Sequence, residues 1–394
     1  MKINKIKISG FKSIADVELN DLTPFSVFAG ANGAGKSNFF DALKFLSTVV
    51  TLGATQAIRQ FHGYDNIHCF KHRKNKARML AASFGYKYQD REEYFYLKIS
   101  DMDNQPKLEE FFFQPTSIAM ADIKAINTGI DINYFFGKTK KVSCVWIGET
   151  RKSPFECESN LNFSENLPDE LSCLMLNPHW SIAKYLKNIR VYRFDPLGAK
   201  EPDNSGADTT ELHSHGHNIA TMLSVLEKDA EIREQIIEWM ELLVPSLETV
   251  STERSRFDST TLMKFKEAGV KKQFPVHLIS DGTIYALCIM VAVLSRCKQP
   301  GMTLIEEPER GIHPQAIAEL VSLMRENANP NHAIFVTTHS ESVVRHSKPE
   351  ELWLVNKIDG KTEFKNAGKK FSNLGDLSLD KAWLMNFFGG GLPW

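Results

Sequence analysis

Two absences narrow the class of this protein: the sequence has no closely spaced cysteine pair and no long apolar run. Its six cysteines include no CxxC pair, which argues against a zinc ribbon and against the disulfide framework of a secreted protein. The longest apolar run, near Tyr285 to Leu294, is far shorter than the roughly 20 residues of a membrane-spanning helix. The chain starts with alternating lysine and isoleucine instead of an apolar signal-peptide core. We therefore expect a cytoplasmic protein with no membrane contact.

The sequence also lacks an excess of charge of either sign. It has 47 basic and 48 acidic residues, a net charge of −1, so any contact with nucleic acid has to be local. Residues 71–78, KHRKNKAR, form the one dense basic segment, with five fixed positive charges and no acid. This segment could hold DNA, RNA or an acidic partner, or it could be an ordinary solvated surface. Composition does not separate these readings.

A glycine-rich loop is the clearest motif that is present. Residues 30–37, GANGAGKS, fit the pattern GxxxxGK[ST] and lie between a predicted strand, 25–29, and a predicted helix, 38–50. In such a loop the backbone N–H groups bind phosphate oxygens, the lysine reaches the β- and γ-phosphates, and the hydroxyl ligates Mg²⁺. The pattern predicts an ATP and Mg²⁺ site. The predicted nucleotide-binding residues of this loop are Gly30, Ala31, Asn32, Gly33, Ala34, Gly35, Lys36, Ser37 and Asn38.

A second candidate segment, residues 302–309, is an apolar strand that ends in paired carboxylates. An acid at a strand end can hold a hydrated metal ion, and its neighbour can deprotonate the attacking water. We therefore predict that Glu306 and Ser37 hold the Mg²⁺ and that Glu307 is the general base. Acids before a proline can also simply cap a helix. The phosphate loop earlier in the chain favours the catalytic interpretation.

Two further segments each contain one residue pattern suited to phosphate. Ser280 and Gly282 open a long apolar helix, whose N-terminal N–H groups can bind an anion. His339 follows another apolar strand and could donate a hydrogen bond to a γ-phosphate. Taken singly, the first is an ordinary helix cap and the second a structural histidine. Their order along the chain makes them informative.

In that order, segments 30–37, 280–283, 304–307, 309–314 and 338–340 resemble the ATPase heads of the SMC and RecF group. The likeness is greatest to the overcoming-lysogenization-defect (OLD) type and related prokaryotic anti-phage ATPases. It covers about the first 50 and the last 120 residues. The resemblance implies an α/β fold: a P-loop ABC-type ATPase head with a mixed parallel core sheet, an antiparallel β lobe and a helical insertion.

The expected domain division follows from the same segments. Residues 1–100 and 275–394 form the two parts of the ATPase head, and residues 101–274 form an inserted β and helical lobe. The resemblance further implies a head-to-head homodimer, in which Ser280 and Gly282 of one subunit meet the γ-phosphate bound to the other. Catalysis would then rest on Lys36, Glu307 and His339.

This sequence departs from the family pattern at two positions and is indefinite at a third. Asp281 stands where transporter-like relatives have glycine, and Glu306 stands where an aspartate is usual. Gln60 is a candidate for the glutamine of the family's Q-loop. Few residues follow His339, too few for the nuclease domain of many OLD-type proteins. We therefore expect a separate nuclease or toxin as the effector.

Two alternative functions stay open. One is a RecF-like DNA repair ATPase that grips DNA through residues 71–78. The other is a slow-turnover, ATP-bound scaffold that holds a toxin inactive. Three smaller features have both a functional and a plain interpretation: a metal site or an unliganded loop at His213, His215 and His217, a metal-binding DxD or a turn at 101–103, and a docking or self-packing tail at 389–394.

Overall fold

The computed structural model describes residues 1–72, 78–88, 91–102, 105–115, 132–136, 140–147, 170–175, 181–203, 211–255, 260–368 and 377–389. Within these ranges no helix has both the length and the apolar character needed to cross a membrane. The chain forms two compact units, each made of discontinuous segments. The first contains Met1–Leu22, Asn38–Asn188 and Lys357–Phe364, and the second contains Thr23–Ser37, Ile189–Asn356 and Lys365–Trp394.

The described elements are both strands and helices, as expected for an α/β protein. The strands are β1 (Lys2–Phe11), β2 (Ile14–Asn20), β3 (Phe25–Gly30), β4 (Met79–Tyr88), β5 (Arg91–Met102), β6 (Gln105–Pro115), β7 (Ile132–Phe136), β8 (Lys140–Ile147), β9 (Ile189–Tyr192), β10 (Leu247–Arg254), β11 (Thr261–Glu267), β12 (Phe274–Pro275), β13 (Gly301–Glu306), β14 (His332–Thr338), β15 (Leu352–Ile358) and β16 (Lys361–Asn366). The helices are α1 (Lys36–Leu52), α2 (Ala54–Gln60), α3 (Tyr64–Ile67), α4 (Ser181–Lys187), α5 (Pro196–Ala199), α6 (Ile219–Leu226), α7 (Ala230–Leu243), α8 (Asp281–Leu294), α9 (Pro314–Asn327), α10 (Glu341–Arg345) and α11 (Leu379–Leu384). The α/β fold class is confirmed.

The first unit is built on a sheet with the strand order β2-β1-β4-β5-β6-β8-β7. Its neighbouring strands pair antiparallel, with the single exception of β6 and β8, which pair parallel. In β1, Ile6 and Ile8 are buried while Lys5 and Lys7 are partly exposed, the alternation of a sheet with one covered face. This sheet is the antiparallel β lobe expected from the sequence.

The second unit is built on a sheet with the order β16-β15-β3-β14-β13-β9. From β15 to β9 every neighbouring pair is parallel. All residues of β3 and β14 are buried, and in β13 only Glu306 is partly exposed. Such unbroken buried runs are typical of central parallel strands that are covered on both faces. The predicted parallel core sheet is therefore confirmed.

The register of these parallel strands aligns their carboxyl ends. Glu306 lies opposite Thr337, Thr338 lies opposite Ala29, and Ile305 lies opposite Tyr192. The loops that follow β3, β9, β13 and β14 consequently leave the sheet at the same edge. In open α/β sheets this edge is where ligands bind.

Helix α7 of the second unit begins and ends at residues suited to helix termini. Asp229 caps it by accepting from the N–H groups of Glu231 and Ile232, and Pro245 follows its end. Most of α8 is buried. Strand β9 lies in the parallel core sheet although it belongs to the segment 101–274, because β9 pairs with β13.

Candidate functional site

The glycine loop joins β3 to α1 in the geometry that its sequence predicts. Gly33 and Gly35 have φ values of 77° and 108°, conformations that strain any residue with a Cβ. Lys36 starts α1 and is only 7% exposed. Its Nζ donates to the carbonyl oxygens of Gly30, at 2.6 Å, and Ala31, at 3.0 Å. The ammonium group thus lies over the loop in which a phosphate chain would be bound.

The ammonium of Lys36 also lies near three carboxylates. Burial lowers its pKa, and the charges of Glu307, Glu309 and Glu306 act in the opposite direction. The loop residues and the acids at the end of β13 therefore belong to one electrostatic site. A triphosphate with its metal ion would therefore meet both positive and negative groups in this site.

Ser37 and Glu306 meet as expected for two ligands of one metal ion. The Ser37 hydroxyl donates to Glu306 Oε2 across 3.2 Å. Two adjacent oxygen ligands of an octahedral Mg²⁺, each about 2.1 Å from the metal, lie about 3.0 Å apart. Both donors are the hard oxygen ligands that Mg²⁺ prefers. The residues present therefore fit the ion.

Glu307 adopts an unusual backbone conformation at the end of β13. Its φ is 51°, in the left-handed region that costs a residue with a side chain about 1–2 kcal/mol. Its N–H donates to the Thr337 carbonyl at 2.9 Å, and its carbonyl accepts from the buried Tyr285 hydroxyl at 3.0 Å. Its carboxylate is 3.4 Å from the ring Nδ1 of His339. Strain of this kind, held by neighbouring hydrogen bonds, is concentrated at functional sites.

Glu309 connects the loop after β13 to the loop after β14. Its Oε1 accepts from the Thr338 hydroxyl at 2.6 Å and from the His339 N–H at 3.3 Å. The side chain is only 8% exposed, and burial raises the pKa of its carboxyl. Sequence reasoning placed Glu309 in a motif but assigned it no role. The contacts show that it holds the backbone of His339.

Arg193 is a residue of this site that sequence reasoning missed. It directly follows β9, and its guanidinium donates to Glu306 Oε1 at 2.8 Å. No motif marks it, because its proximity to Glu306 depends on the pairing of β9 with β13. These two strands lie over 110 residues apart in the chain. Only the sheet order brings the two side chains together.

The segment of Ser280 and Gly282 opens α8. The Ser280 hydroxyl accepts from the Thr283 N–H at 3.2 Å, and Ser280 itself is exposed. A Cβ at Gly282 would lie 2.0 Å from the Gly311 carbonyl oxygen, so only glycine fits against the loop after β13. Asp281, the unusual residue of this segment, forms an ion pair with Lys200. That pairing offsets a negative charge at the N-terminus of α8.

Two site predictions from the sequence fall in the first unit. Asn38 lies in α1 and donates to the Ser13 hydroxyl at 2.7 Å. Gln60 is the last residue of α2. Neither observation tests a role in nucleotide binding, so the assignments of Asn38 and Gln60 stay predictions.

The remaining candidates are only partly covered by the described residues. In the basic segment, residues 73–77 lie outside them, Lys71 and His72 are exposed, and Arg78 pairs with Asp65 at 2.6 Å. Asp103 of the DxD and the tail after Gly389 also lie outside.

The three alternate histidines have ordinary partners. The Nδ1–H of His215 donates to the Arg193 carbonyl, and the ring of His217 is 3.4 Å from Asp195. Across the part of the chain that the structure describes, no group of three or more His, Cys, Asp or Glu side chains could hold a metal ion. For the histidines of 213–217, these contacts support the plain loop interpretation.

Two family models match the chain. The model described as "AAA domain, putative AbiEii toxin, Type IV TA system" matches residues 137–345, more than half of the chain. The model described as "AAA ATPase domain" matches residues 1–166. Together they span both the glycine loop and the paired carboxylates.

Two proteins and one solved structure are also similar to this chain. An "ATP/GTP phosphatase" of Helicobacter pylori is 21% identical over 360 residues, covering 87% of this chain and 86% of that protein. An uncharacterised protein of Methanocaldococcus jannaschii is 35% identical over 66 residues, 17% of this chain and 20% of that protein. The crystal structure of an SMC head bound to the C-terminal winged-helix domain of ScpA covers 98% of this chain and 100% of its own, with a TM-score of 0.56 and 14% identity. At that identity the last match establishes the fold alone.

Proposed function

We propose a role for this chain, which belongs to the family described as "AAA domain, putative AbiEii toxin, Type IV TA system" and is a P-loop ATPase of the SMC and RecF type: it dimerises around two ATP molecules and controls a separate effector protein. In this proposal residues 1–100 and 275–394 form the ATPase head and residues 101–274 the inserted lobe, with the exception of β9, which lies in the core sheet. The protein acts in the cytoplasm, in defence against phage.

Each group of the site has a chemical task in this proposal. The N–H groups from Gly30 to Asn38 hold the phosphates, and Lys36 neutralises charge on the β- and γ-phosphates. Ser37 and Glu306 hold Mg²⁺, which when bound offsets the charge of the phosphate oxygens. Glu307 accepts the proton of the attacking water. His339 donates a hydrogen bond to the γ-phosphate, with its backbone held by Glu309.

The exposure of Ser280 at the start of α8 carries the dimer proposal. Ser280 and Asp281 are exposed, and α8 has 14 residues, so its N-terminal dipole is fully developed. The contact of Gly282 with Gly311 ties this segment to the loop that begins at Glu307. A γ-phosphate bound by a second copy could reach the exposed N-terminus. Hydrolysis would then require two subunits.

The solution mass with and without ATP and Mg²⁺ tests this proposal. We expect nucleotide-free protein to be monomeric and the Glu307→Gln variant to be dimeric with ATP, because it binds but does not hydrolyse. Lys36→Ala should stay monomeric, as it lacks the charge that binds the phosphates. If the solution mass is the same with and without ATP, both in wild type and in Glu307→Gln, ATP-driven dimerisation is contradicted.

A mixing experiment tests whether one site uses both subunits. Lys36→Ala destroys the phosphate loop and Ser280→Arg blocks the exposed N-terminus of α8, so each variant alone should be inactive. In a mixed dimer, the intact loop of one subunit faces the intact α8 of the other. With random pairing in an equal mixture, half of the dimers are mixed and each has one intact site of two, so we expect recovery of at most about a quarter of wild-type phosphate release. No recovery, with both variants folded and mixed dimers formed, would contradict a shared site.

The description of the matching family names a putative toxin, which supports a second candidate function. A slow-turnover ATPase could hold a toxin inactive while ATP is bound. Phosphate release distinguishes the two. Turnover that depends on Glu307 supports the switching ATPase, whereas tight ATP binding with no Glu307-dependent turnover supports the scaffold.

A further inference from the structure

Arg193 is held rigidly at the edge of the sheet beside Glu306. Its N–H donates to the Ser214 carbonyl at 2.9 Å, and its carbonyl accepts from the ring of His215 at 2.8 Å. These two bonds fix the backbone directly after β9. The Arg193 side chain is 39% exposed and the Glu306 side chain 15% exposed, so solvent reaches both members of the pair.

The two oxygens of the Glu306 carboxylate have different partners. Oε1 accepts from Arg193 at 2.8 Å, and Oε2 accepts from Ser37 at 3.2 Å. A glutamate has one more rotatable bond than an aspartate and loses more conformational entropy when it is held in one position. A carboxylate free to turn could also chelate a cation with both oxygens, which Mg²⁺ accepts poorly because it demands near-ideal octahedral geometry.

We infer that Arg193 is a positioning residue for the metal: it holds Glu306 Oε1 so that Oε2 alone faces the ion beside Ser37. The inference rests on the proposed role of Glu306 as a metal ligand. Arg193 compensates for the longer acid at this position. It touches neither phosphate nor water in this role and acts through Glu306 alone.

The Mn²⁺ affinity of the site tests this positioning role. It can be measured by titrating the protein with Mn²⁺ in the presence of a non-hydrolysable ATP analogue and following the electron paramagnetic resonance signal of the free ion. Outer-shell partners of metal ligands are typically worth 10–100-fold in affinity. We expect Arg193→Ala to weaken Mn²⁺ binding about tenfold. The matched control is Arg190→Ala, which removes an arginine of β9 that is paired with Glu211 through two bonds of 2.8 and 2.7 Å. It should leave Mn²⁺ affinity unchanged.

The Glu306→Asp background sharpens the test. Aspartate is shorter and has fewer rotamers, so in this background Arg193→Ala should change Mn²⁺ affinity by no more than about twofold. Binding of a fluorescent ADP in EDTA, which requires the glycine loop and not the metal, checks that each variant is folded.

The outcomes separate the inference from the proposed function. Unchanged or tighter Mn²⁺ binding by Arg193→Ala, with binding lost in Glu306→Ala, would overturn the positioning role and leave Glu306 as the ligand. Unchanged binding by Glu306→Ala would show that the metal assignment itself is wrong.

Discussion

The two ends of the parallel sheet in the second unit are built from the same strands, but they differ in burial, charge and backbone strain. At the amino end, His332 of β14 bridges Thr303 and the Gln299 carbonyl at 2.8 and 2.7 Å, and its side chain is fully buried. Because a carbonyl can only accept, Nδ1 carries the proton and Nε2 accepts from Thr303. Burial lowers the pKa of His332 to about 4, so this side chain is neutral at pH 7.

The carboxyl end of the same strands is charged, partly exposed and strained. It collects Lys36, Glu306, Glu307 and His339, and Glu307 has its φ in the left-handed region. The comparison separates two uses of one sheet. At the amino end a neutral, buried histidine makes hydrogen bonds through both ring nitrogens, whereas the carboxyl end keeps charged groups available for a ligand.

The largest expected effect comes from the charged end. Glu307→Gln removes the group that accepts the proton of the attacking water while keeping the shape of the side chain. We expect phosphate release to fall by about 10²- to 10⁴-fold with ATP binding retained. Glu326→Gln, an exposed change on α9, is the control. Undiminished release from Glu307→Gln would show that another group acts as the base.

The amino end should dominate the response of stability to acid. His332 has a folded-state pKa of about 4 against about 6.5 when unfolded, so the unfolded chain binds the proton more tightly. Stability is therefore present above pH 6.5 and is lost as the pH falls to 4, by roughly 3 kcal/mol.

Thermal unfolding at pH 7.5 and pH 5.0 checks this. His332→Gln cannot take up the proton, so its midpoint should fall less between the two pH values than that of wild type. The exposed His72→Gln should behave as wild type. An equal fall in His332→Gln and wild type would remove His332 as the cause.

A smaller effect on turnover is expected from Tyr285, a buried residue of α8 that contacts the backbone of the site. Tyr285→Phe removes the hydroxyl that contacts the carbonyls of Glu306 and Glu307 at 2.9 and 3.0 Å. A lost hydrogen bond costs about 1 kcal/mol, and looser support of the strained Glu307 should slow turnover about fivefold. Tyr94→Phe, which loses a hydroxyl contact to Glu92, is the control, and both can be compared by phosphate release. Equal turnover in the two variants would count against support by Tyr285.

The smallest effect concerns the buried Glu309. Since its folded-state pKa is raised, its ionisation costs stability as the pH rises above the usual range of a carboxyl. Glu309→Gln keeps an oxygen for Thr338 and His339 but cannot ionise. Relative to wild type, its unfolding midpoint should improve from pH 5 to pH 8, and that of Glu326→Gln should not. A difference that does not vary with pH would mean that Glu309 does not titrate in this range.

Local patterns were sufficient for the elements of the core. The alternation in β1 and the buried runs of β3 and β14 each depend on neighbours in the chain, so the local pattern of apolar residues predicted them. The glycine loop was equally readable, because its function requires glycine, lysine and a hydroxyl at set spacing. The membership of β9 in the core sheet was not, because β9 is four residues long and its partner is remote.

The sequence by itself therefore determined the α/β class, the phosphate loop and the identity of the acids, because each of these features follows from residues that are close together in the chain. Only the tertiary structure decided which side chains meet: Arg193 with Glu306, Glu309 with the backbone of His339, and His332 with Thr303. The physical reason is the parallel sheet. Its strands are joined by long crossovers, so strand order and register, which no local pattern encodes, decide which loops leave the sheet side by side.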